Sequence, residues 1–566
     1  MSLAVRSMLK DRRHCGFEFT LTRLHPNMHP YAPVLTPSHH ERQRPTSRTT
    51  IPTFGSQPSS FRASHGGSGI HPLSSTGPTT EQEYNKELAL SGLHHGPSGH
   101  LPLGYRLQLL RDYQRAIRMA SGHFRHLPAL RTPSEASELR VRASANIVSQ
   151  MQSAEHKVVF TSFPSRRLGI TQESCWSVAP KSRWPFVEHT IDANQDLLVL
   201  AERVPDGRLE DCQGFISIHV LSMRTGRQHP LARRSPLKFP FAWTPESITF
   251  YEFRICGAQL SLFCSDRAHL NDSTAVVWNW KTGEKRMELF SLDLGTFAFM
   301  DEDHTVTGII DEDTNWCVVV HDLREQDPMR KSLHHETQLY EFELPEGYNH
   351  AESLNIVSEP YFPQHPGTPG YHGFPSDNLL TFFLNGKGSK QQPMQMKIFV
   401  AGSSLRKLML PPPFPNGETS LTYFWDEWGP GATHIELSLG ARSLGRCDIT
   451  SCMRFADLRP DYSGKKLGLT LLDLSPARVD KAEREPKDSR QSQIACLAGI
   501  APKVWNNDGI QGGLRFLHNH IELPTELQSV PYGNYHPTVT EDIVVIHPNW
   551  VCDTPSNLPM SVFVFF

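Results

Sequence analysis

The fold of this chain is decided by one short stretch, VVWNWKTGE at Val276–Glu284, and by its echo, IHVLSMRTGR at Ile218–Arg227. Each joins β-branched and aromatic residues, which favour a strand, to a Thr-Gly pair, in which glycine supplies the positive φ angle of a tight hairpin turn. Propeller blades end in this way. The two Thr-Gly pairs lie about 57 residues apart, whereas WD-type blades repeat at about 40–45, so the pattern indicates blades with extended loops.

Short apolar runs with turn residues between them continue from about Lys157 to the last residue. The clearest are Val158–Phe160, Leu197–Leu200, Phe215–Ile218, Leu260–Cys264, Val318–Val320, Leu379–Phe383, Met396–Val400, Leu467–Leu472, Ile543–Ile546 and Val562–Phe566. Many short strands with few helices predict an all-β sandwich or a propeller, and the length favours a mainly β, WD40-like propeller of roughly six to eight blades. We expect Val562–Phe566 to complete a blade begun near Val158, because closing the ring removes free sheet edges.

Helical patterns precede these strands. A short amphipathic pattern begins near Glu81 and stops at Gly96-Pro97, and a second helix is predicted over Leu103–Ala120. A third is predicted from Thr132, which can cap a helix that Pro133 begins. Its apolar residues recur at a spacing of four, at Leu139, Ala143, Ile147 and Met151.

The chain therefore divides into three predicted regions. Residues 1–80 are rich in Pro, Ser, Thr, His and Gly and lack apolar periodicity, so this segment is predicted to be disordered because it cannot bury enough apolar surface to offset chain entropy. Residues 81–156 form a helical neck, and residues 157–566 form the propeller-like domain.

Composition narrows the classes of partner and location. The formal net charge is -3 with acids and bases interspersed, which favours neither nucleic acid nor an anionic membrane as a partner. No apolar run reaches the about 18 residues of a membrane-spanning helix. The 10 cysteines lack dense or regular spacing and are typical of reduced thiols, so we expect a cytoplasmic or nuclear protein.

Two segments in order resemble a known family. The sequence YNKELALSGLHHGP at Tyr84–Pro97, followed by RLQLLRDYQRA at Arg106–Ala116, closely resembles the segment just after the F-box in a large family of F-box proteins from mushroom-forming fungi. The run at Val277–Gly283 is similar to the most recognisable blade motif of the degenerate propeller in that family. The resemblance covers roughly residues 81–546, and residues 123–156 match poorly.

This resemblance implies a function. Members of the family are recruited by a Skp-type adaptor to a cullin-based ubiquitin ligase, in which the propeller receives the protein substrate. The F-box itself should precede Tyr84 as three short helices that open with Leu-Pro, but residues 1–80 show no such segment. Two functions therefore stay open: a non-catalytic substrate receptor of a ubiquitin ligase, and a propeller scaffold that has lost the F-box. A propeller enzyme is the third possibility.

Few residues suggest catalysis or ligand binding, and we predict no catalytic, cofactor or metal residues, while the partner-binding loops stay unassigned. Calcium loops require a longer oxygen-rich run with a central glycine, structural zinc requires four ligands at short paired spacings, and a phosphate loop requires two glycines five residues apart ahead of Lys-Ser/Thr. We interpret the following segments as solvated turns or ordinary side chains: Asn271–Ser273, Asp301–Asp303, Asp311–Asp313, His334-His335, Gly386–Lys390 with its Asn385-Gly386 turn, Cys447 with Cys452, and His518 with His520.

Three aromatic residues have two interpretations each. Trp278 and Trp280 alternate around Asn279, so both indoles lie on one side of the strand, either in the core or as an aromatic anchor at an interface. Tyr113 either packs under the propeller or contacts an F-box.

Overall fold

Strands dominate the computed structural model of this chain, and helices are few. The residues that the structure describes are 79–90, 93–95, 102–118, 122–127, 139–205, 213–242, 249–266, 273–291, 294–310, 315–324, 339–345, 351–358, 371–373, 378–387, 393–409, 420–439, 450–451, 453–460, 467–475, 478–479, 517–528, 535–548 and 560–565. The segment predicted to be disordered lies outside them, except for Thr79 and Thr80.

The helical neck is present. Helix α1 (Thr80–Leu90) begins at a reciprocal cap, in which the Thr79 and Gln82 side chains each accept a hydrogen bond from the other residue's backbone N–H. Strand β1 (Leu93–His95), helix α2 (Leu103–Arg118) and strand β2 (Gly122–Leu127) follow. The second predicted helix is thus confirmed, and none of the described helices is long and apolar enough to cross a membrane.

Seven sheets are the blades of a seven-bladed β-propeller, which confirms the predicted fold class. Blade 1 contains β3 (Leu139–Ser144), β4 (Ile147–Gln152), β5 (Lys157–Ser162) and β6 (Ser174–Val178). Blade 2 contains β7 (Phe186–Asp192), β8 (Leu197–Pro205), β9 (Gln213–Ser222) and β10 (Leu237–Ala242). Blade 3 contains β11 (Thr249–Cys256), β12 (Gln259–Asp266), β13 (Ser273–Asn279) and β14 (Glu284–Ser291).

Blades 4 and 5 are more elaborate. Blade 4 contains β15 (Leu294–Phe299), β16 (His304–Ile310), β17 (Trp316–Asp322) and β18 (Leu339–Glu343). Blade 5 contains β19 (Ser353–Val357), β21 (Leu379–Lys387), β22 (Pro393–Ala401) and β24 (Thr433–Leu439), with β20 (Tyr371–Gly373) paired to β1. Between β22 and β24 lie helix α3 (Gly402–Leu408), β23 (Ser420–Tyr423) and helix α4 (Trp425–Ala432). Strand β23 pairs in parallel with β18 and extends blade 4 to five strands.

Blade 6 contains β25 (Thr450–Ser451), β26 (Arg454–Pro460), β27 (Leu467–Asp473) and β28 (Leu517–Glu522), and helix α5 (Thr525–Gln528) follows it. Blade 7 contains β29 (Tyr535–Val539), β30 (Ile543–Pro548) and β31 (Met560–Phe565), with β2 as its fourth strand.

The ring closes at β2, not at a blade begun near Val158 as the sequence suggested. Strand β2 pairs antiparallel with β31, with Gly122 opposite Phe565 and Leu127 opposite Met560. Gly122 is required at this junction, because a Cβ atom there would lie 2.2 Å from the Val564 carbonyl oxygen. The edge of β31 is thereby covered by a strand that precedes blade 1 in the chain.

A hydrophobic cluster lies at each of the seven junctions between blades. Strand β13 shows how one strand serves two junctions: Val276 and Trp278 pack towards blade 2, whereas Ala275 and Val277 pack towards blade 4. Trp280, in the turn after β13, joins the blade 2 cluster and is fully buried. The core interpretation of the two tryptophans is therefore confirmed. Burial on both faces explains why such strands read as continuous apolar runs.

The third predicted helix is wrong in its described part, where residues 139–152 form the hairpin of β3 and β4. A spacing of four lies near the helical period but is also a multiple of two, so it fits a strand equally well. Leu139, Val141 and Ala143 alternate with polar residues, and Ala145 makes the turn with a φ of 49°. Blade 1 consequently begins at Leu139, ahead of residue 157, where the propeller-like domain was expected to begin.

Candidate functional site

The first strand of each blade lies innermost in the ring. These inner strands are β3, β7, β11, β15, β19, β25 and β29, and most neighbouring inner strands contact one another around the central channel. Inner strands of propellers carry the side chains that line this channel. Their polar groups are the first place to look for a site.

Charged side chains from blades 1 and 2 are paired at the channel. Arg140 and Arg142 of β3 both bind the carboxylate of Glu188 on β7, with Arg142 Nη2 at 3.2 Å from Oε1. Arg142 Nε also donates to the His189 carbonyl oxygen at 3.3 Å. The Glu188 side chain is buried, whereas about a quarter of each arginine side chain is exposed. The two guanidinium groups therefore offset the cost of burying the carboxylate.

Arg254 of β11 connects blades that are not neighbours. Its Nη1 donates to the Ser358 carbonyl oxygen at 2.9 Å and its Nη2 to the Ile356 carbonyl oxygen at 3.4 Å, so the side chain reaches from blade 3 to blade 5. Nη2 also forms an ion pair with Glu252 on the same strand. Arg254 thus connects two blades across the channel, and most of its hydrogen-bond donors are used within the protein.

One constellation resembles a catalytic triad. Ser149 Oγ lies 2.9 Å from His189 Nε2, and His189 Nδ1 lies 4.0 Å from Glu188 Oε1. Ser149 and His189 are fully buried, so a substrate does not reach the hydroxyl, and Glu188 is too far away to orient the imidazole by a hydrogen bond. Thr307 and His321 repeat the pair inside blade 4, also at 2.9 Å and fully buried. We therefore interpret these pairs as structural.

The two buried histidines predict an acid-sensitive fold. Burial lowers the pKa of His321 to about 4, and burial together with Arg142 and Arg140 holds the pKa of His189 well below 6.5. The unfolded chain then binds more protons than the folded one, so stability is present above about pH 6.5 and falls as the pH falls. For His321 we expect a loss of about 1.4 kcal/mol per pH unit down to about pH 4, measured by urea unfolding at several pH values.

The matched control for this prediction is His321→Gln, which is neutral at every pH. Burial raises the pKa of Asp192 and of Glu541, which opposes the histidine effect, so the difference between the two proteins is the readout and not the wild-type slope. The stability of the wild type is expected to fall relative to that of the variant as the pH falls from about 6.5 to about 4. Equal slopes would contradict a neutral buried His321.

A second feature is the face formed by the turns that join the first and second strands of each blade, here called the turn face. Hydrogen bonds link these turns from blade to blade. They run from Ala193 N to Ser144 Oγ at 3.0 Å, from Gln195 Nε2 to the Gly257 carbonyl oxygen at 2.9 Å, and from Ala258 N to Glu302 Oε1 at 2.9 Å. Blades 1 to 4 are thereby joined in sequence, and Arg406 of α3 continues the series to blade 5 through an ion pair with Asp301.

The turn of blade 7, residues Thr540–Asp542, is here called the closing turn. Its Thr540 hydroxyl donates to the Ala145 carbonyl oxygen of blade 1, and its Asp542 carboxylate is bound twice by Arg167 of the same blade. The Arg167–Asp542 distances are 2.7 Å and 3.2 Å, and both side chains are about 5% exposed or less. The closing turn therefore fixes the last blade to the first.

The closing turn also contacts the neck. The Glu541 carbonyl oxygen accepts hydrogen bonds from the Tyr113 hydroxyl of α2 at 3.1 Å and from Arg454 Nη2 of blade 6 at 2.8 Å. Ala116 of α2 packs in the cluster between blades 6 and 7. Tyr113 thus packs under the propeller, the first of its two interpretations, and also joins the α1–α2 cluster.

The residues singled out in the sequence are mostly dispersed. Asp301–Asp303 form the predicted hairpin turn, but Asp301 and Glu302 are engaged by Arg406, His304 and Ala258 instead of standing free in solvent. His304 and Arg406 lower the pKa of the Asp301 carboxyl against its burial. His518 and His520 lie on β28, opposite Leu472 and Thr470. In the part of the chain that the structure describes, no group of three or more His, Cys, Asp or Glu residues is placed to hold a metal ion.

The turn predicted at Asn385-Gly386 is wrong, because β21 continues through both residues to Lys387 and pairs them with Gln395 and Met394. A strand pairing there overrides the local turn preference of Asn-Gly. The other predicted segments lie outside the described residues in whole or in large part: Asn271-Asp272, Asp311–Asp313, His334-His335, Gly388–Lys390, Cys447 and Cys452.

No family model matches the chain, and no curated protein matches it. It is similar to a structure of the fission yeast SREBP–SCAP binding domains, at 8% identity over 61% of this chain and 92% of that chain, with a TM-score of 0.25. It is also similar to apo AztD from Citrobacter koseri, at 10% identity over 72% and 79%, with a TM-score of 0.27.

A europium-containing methanol dehydrogenase is similar at 9% identity over 82% of this chain and 83% of that chain, with a TM-score of 0.26. These similar structures thus include an enzyme. At such identities and TM-scores, the likenesses carry no argument about function.

Proposed function

We propose that this protein is a non-catalytic interaction protein, in which a rigid propeller binds a protein partner and the neck connects the propeller to other machinery. One observation carries this proposal: the neck is fixed to the closing turn by the Tyr113 hydrogen bond and by the burial of Ala116. In a protein that brings two others together, the effective concentration of one partner at the other depends on the length and stiffness of the connection between the two binding regions. The linked turn face provides such a rigid connection.

Within this class, the resemblance supports a substrate receptor of a cullin-type ubiquitin ligase, acting in the cytoplasm or nucleus. Its partners would be a Skp-type adaptor, bound ahead of the neck, and a protein substrate, bound by the propeller. The buried position of Ser149 and His189 supports a non-catalytic role, because their hydroxyl and imidazole do not meet a substrate.

A scaffold without a ligase role is the second candidate. The observation that favours it is the Pro/Ser/His-rich composition of residues 1–80, where the family has its F-box. Such a scaffold would keep its protein partners. Its removal from cells would leave ubiquitylation unchanged.

A pull-down distinguishes the two candidates. The tagged full chain is mixed with a purified Skp-type adaptor, beside a matched chain that begins at residue 79. The receptor function predicts that the full chain retains the adaptor and that the shortened chain does not. Absence of adaptor from the full chain would contradict the receptor function and favour the scaffold.

A further inference from the structure

We propose that the loop between β9 and β10, residues 223–236, binds an acidic segment of a partner protein. Residues 223–236 are here called the basic loop. It lies on blade 2, beside the turn of blade 3 that contains Lys281 and Gly283. The inference goes beyond the ligase role, since it concerns a surface that the resemblance does not assign.

Positive charge is concentrated in the basic loop. Arg224, Arg227, Arg233 and Arg234 are all exposed, and no carboxylate occurs between Met223 and Lys238. This concentration stands out in a chain whose formal net charge is -3. Arginine guanidinium groups bind carboxylates and phosphates in a bidentate manner, so they favour an anionic partner.

The acid beside Arg224, Asp196, leaves most of the charge of this side chain available. Asp196 accepts a hydrogen bond from the Ser222 hydroxyl at 2.7 Å and another from the Arg224 backbone N–H at 3.1 Å. The Arg224 side chain lies 3.8 Å from it and is 84% exposed, so this ion pair is weak.

The basic loop is held in one conformation. His229 is buried, its Nε2 lies 2.9 Å from the Gln195 carbonyl oxygen, and its ring packs edge-on against Trp280 at 4.9 Å. Arg233 N donates to the Lys281 carbonyl oxygen at 2.8 Å. A fixed loop loses little backbone entropy when a partner binds, which favours affinity.

The aliphatic stem of Arg234 lies against Gly283 of blade 3, where a Cβ atom would come within 2.8 Å of it. The basic loop and the turn of blade 3 therefore form one surface shared by two blades.

An exposed apolar residue favours a peptide over a nucleic acid. Leu231 is 53% exposed and lies within the loop, between the two pairs of arginines. A peptide with an apolar side chain between acidic ones fits this arrangement, because it covers Leu231 while its carboxylates meet the arginines. Nucleic acid binding would instead be served by a longer track of phosphate contacts.

The experiment uses the full chain and a fluorescein-labelled glutamate peptide with a central leucine, followed by fluorescence anisotropy. Arg233→Glu with Arg234→Glu is expected to weaken binding at least about tenfold, and added salt is expected to weaken wild-type binding. The double variant Arg233→Lys with Arg234→Lys keeps the charge. Its affinity for the peptide is expected to lie between those of the wild type and of the charge-reversed variant. The matched control is Lys181→Glu with Arg183→Glu, an identical charge change at exposed residues of the β6–β7 loop, with binding expected to stay at the wild-type level.

Two results would overturn the proposal. One is equal peptide binding by the wild type and by the charge-reversed loop variant, once unfolding curves show that the variant is folded. The other is tighter binding of polyuridine RNA than of the peptide through the same arginines. Both are independent of the adaptor pull-down, so failure here and failure of the receptor function are distinguishable.

Discussion

Substitution Asp542→Ala is expected to lower the free energy of unfolding by about 3–5 kcal/mol, because it leaves the buried Arg167 guanidinium without its bidentate carboxylate. The carboxylate also connects blade 7 to blade 1, so the substitution destabilises the junction at which the ring closes. Urea unfolding of the wild type and the variant measures the effect.

Two further variants make this result interpretable. The double change Arg167→Met with Asp542→Leu replaces the ion pair by apolar side chains and is expected to recover most of the loss. Arg224→Ala breaks an exposed pair at 3.8 Å and should cost less than about 1 kcal/mol. A loss of similar size in all three variants would contradict a special role for the buried pair.

Trp280→Ala is the second large expected effect. The indole is fully buried between blades 2 and 3, and its N–H donates to the Gly257 carbonyl oxygen at 2.9 Å. Removing it creates a cavity and loses this hydrogen bond, so we expect a loss of about 3–5 kcal/mol in the free energy of unfolding. The same urea experiment applies, read by the loss of β-sheet circular dichroism.

Phe290→Ala is the control for this substitution. Phe290 lies on the outer strand of the same blade and is 52% exposed, so its truncation should change stability by no more than about 0.5 kcal/mol. If both truncations had equally small effects, the junction between blades 2 and 3 would not depend on Trp280.

Local sequence predicted this fold well wherever both faces of a strand are buried. Val276–Trp278 is such a case, since its apolar run and the following Thr-Gly turn carry the whole signal. Strand β2 is the opposite case. Its sequence GHFRHL is largely polar, because it is the outermost strand of its blade, and nothing in it identifies β31 as the partner.

The contacts of the closing turn were harder to predict, because they join segments that are distant in the chain. The closing turn is recognisable as a turn from Thr540, whose hydroxyl accepts hydrogen bonds from the backbone N–H groups of Asp542 and Ile543. Its hydrogen bonds to Arg167 and Tyr113 are not recognisable, because the sequence around these two residues does not indicate their partner. The same holds for Arg254, which reaches a carbonyl group 104 residues away.

Closure by β2 has a consequence for how the protein is made. Tyr113 leaves the ribosome long before Glu541, 428 residues later, is available to accept its hydrogen bond. Blades 1 to 6 can therefore assemble during synthesis as an open crescent, while β2 remains without its partner strand until β31 has been synthesised. Until that pairing forms, β2 and β30 each keep an unpaired strand edge, so a nascent chain stalled before residue 560 would be a substrate for chaperones and a hazard for aggregation.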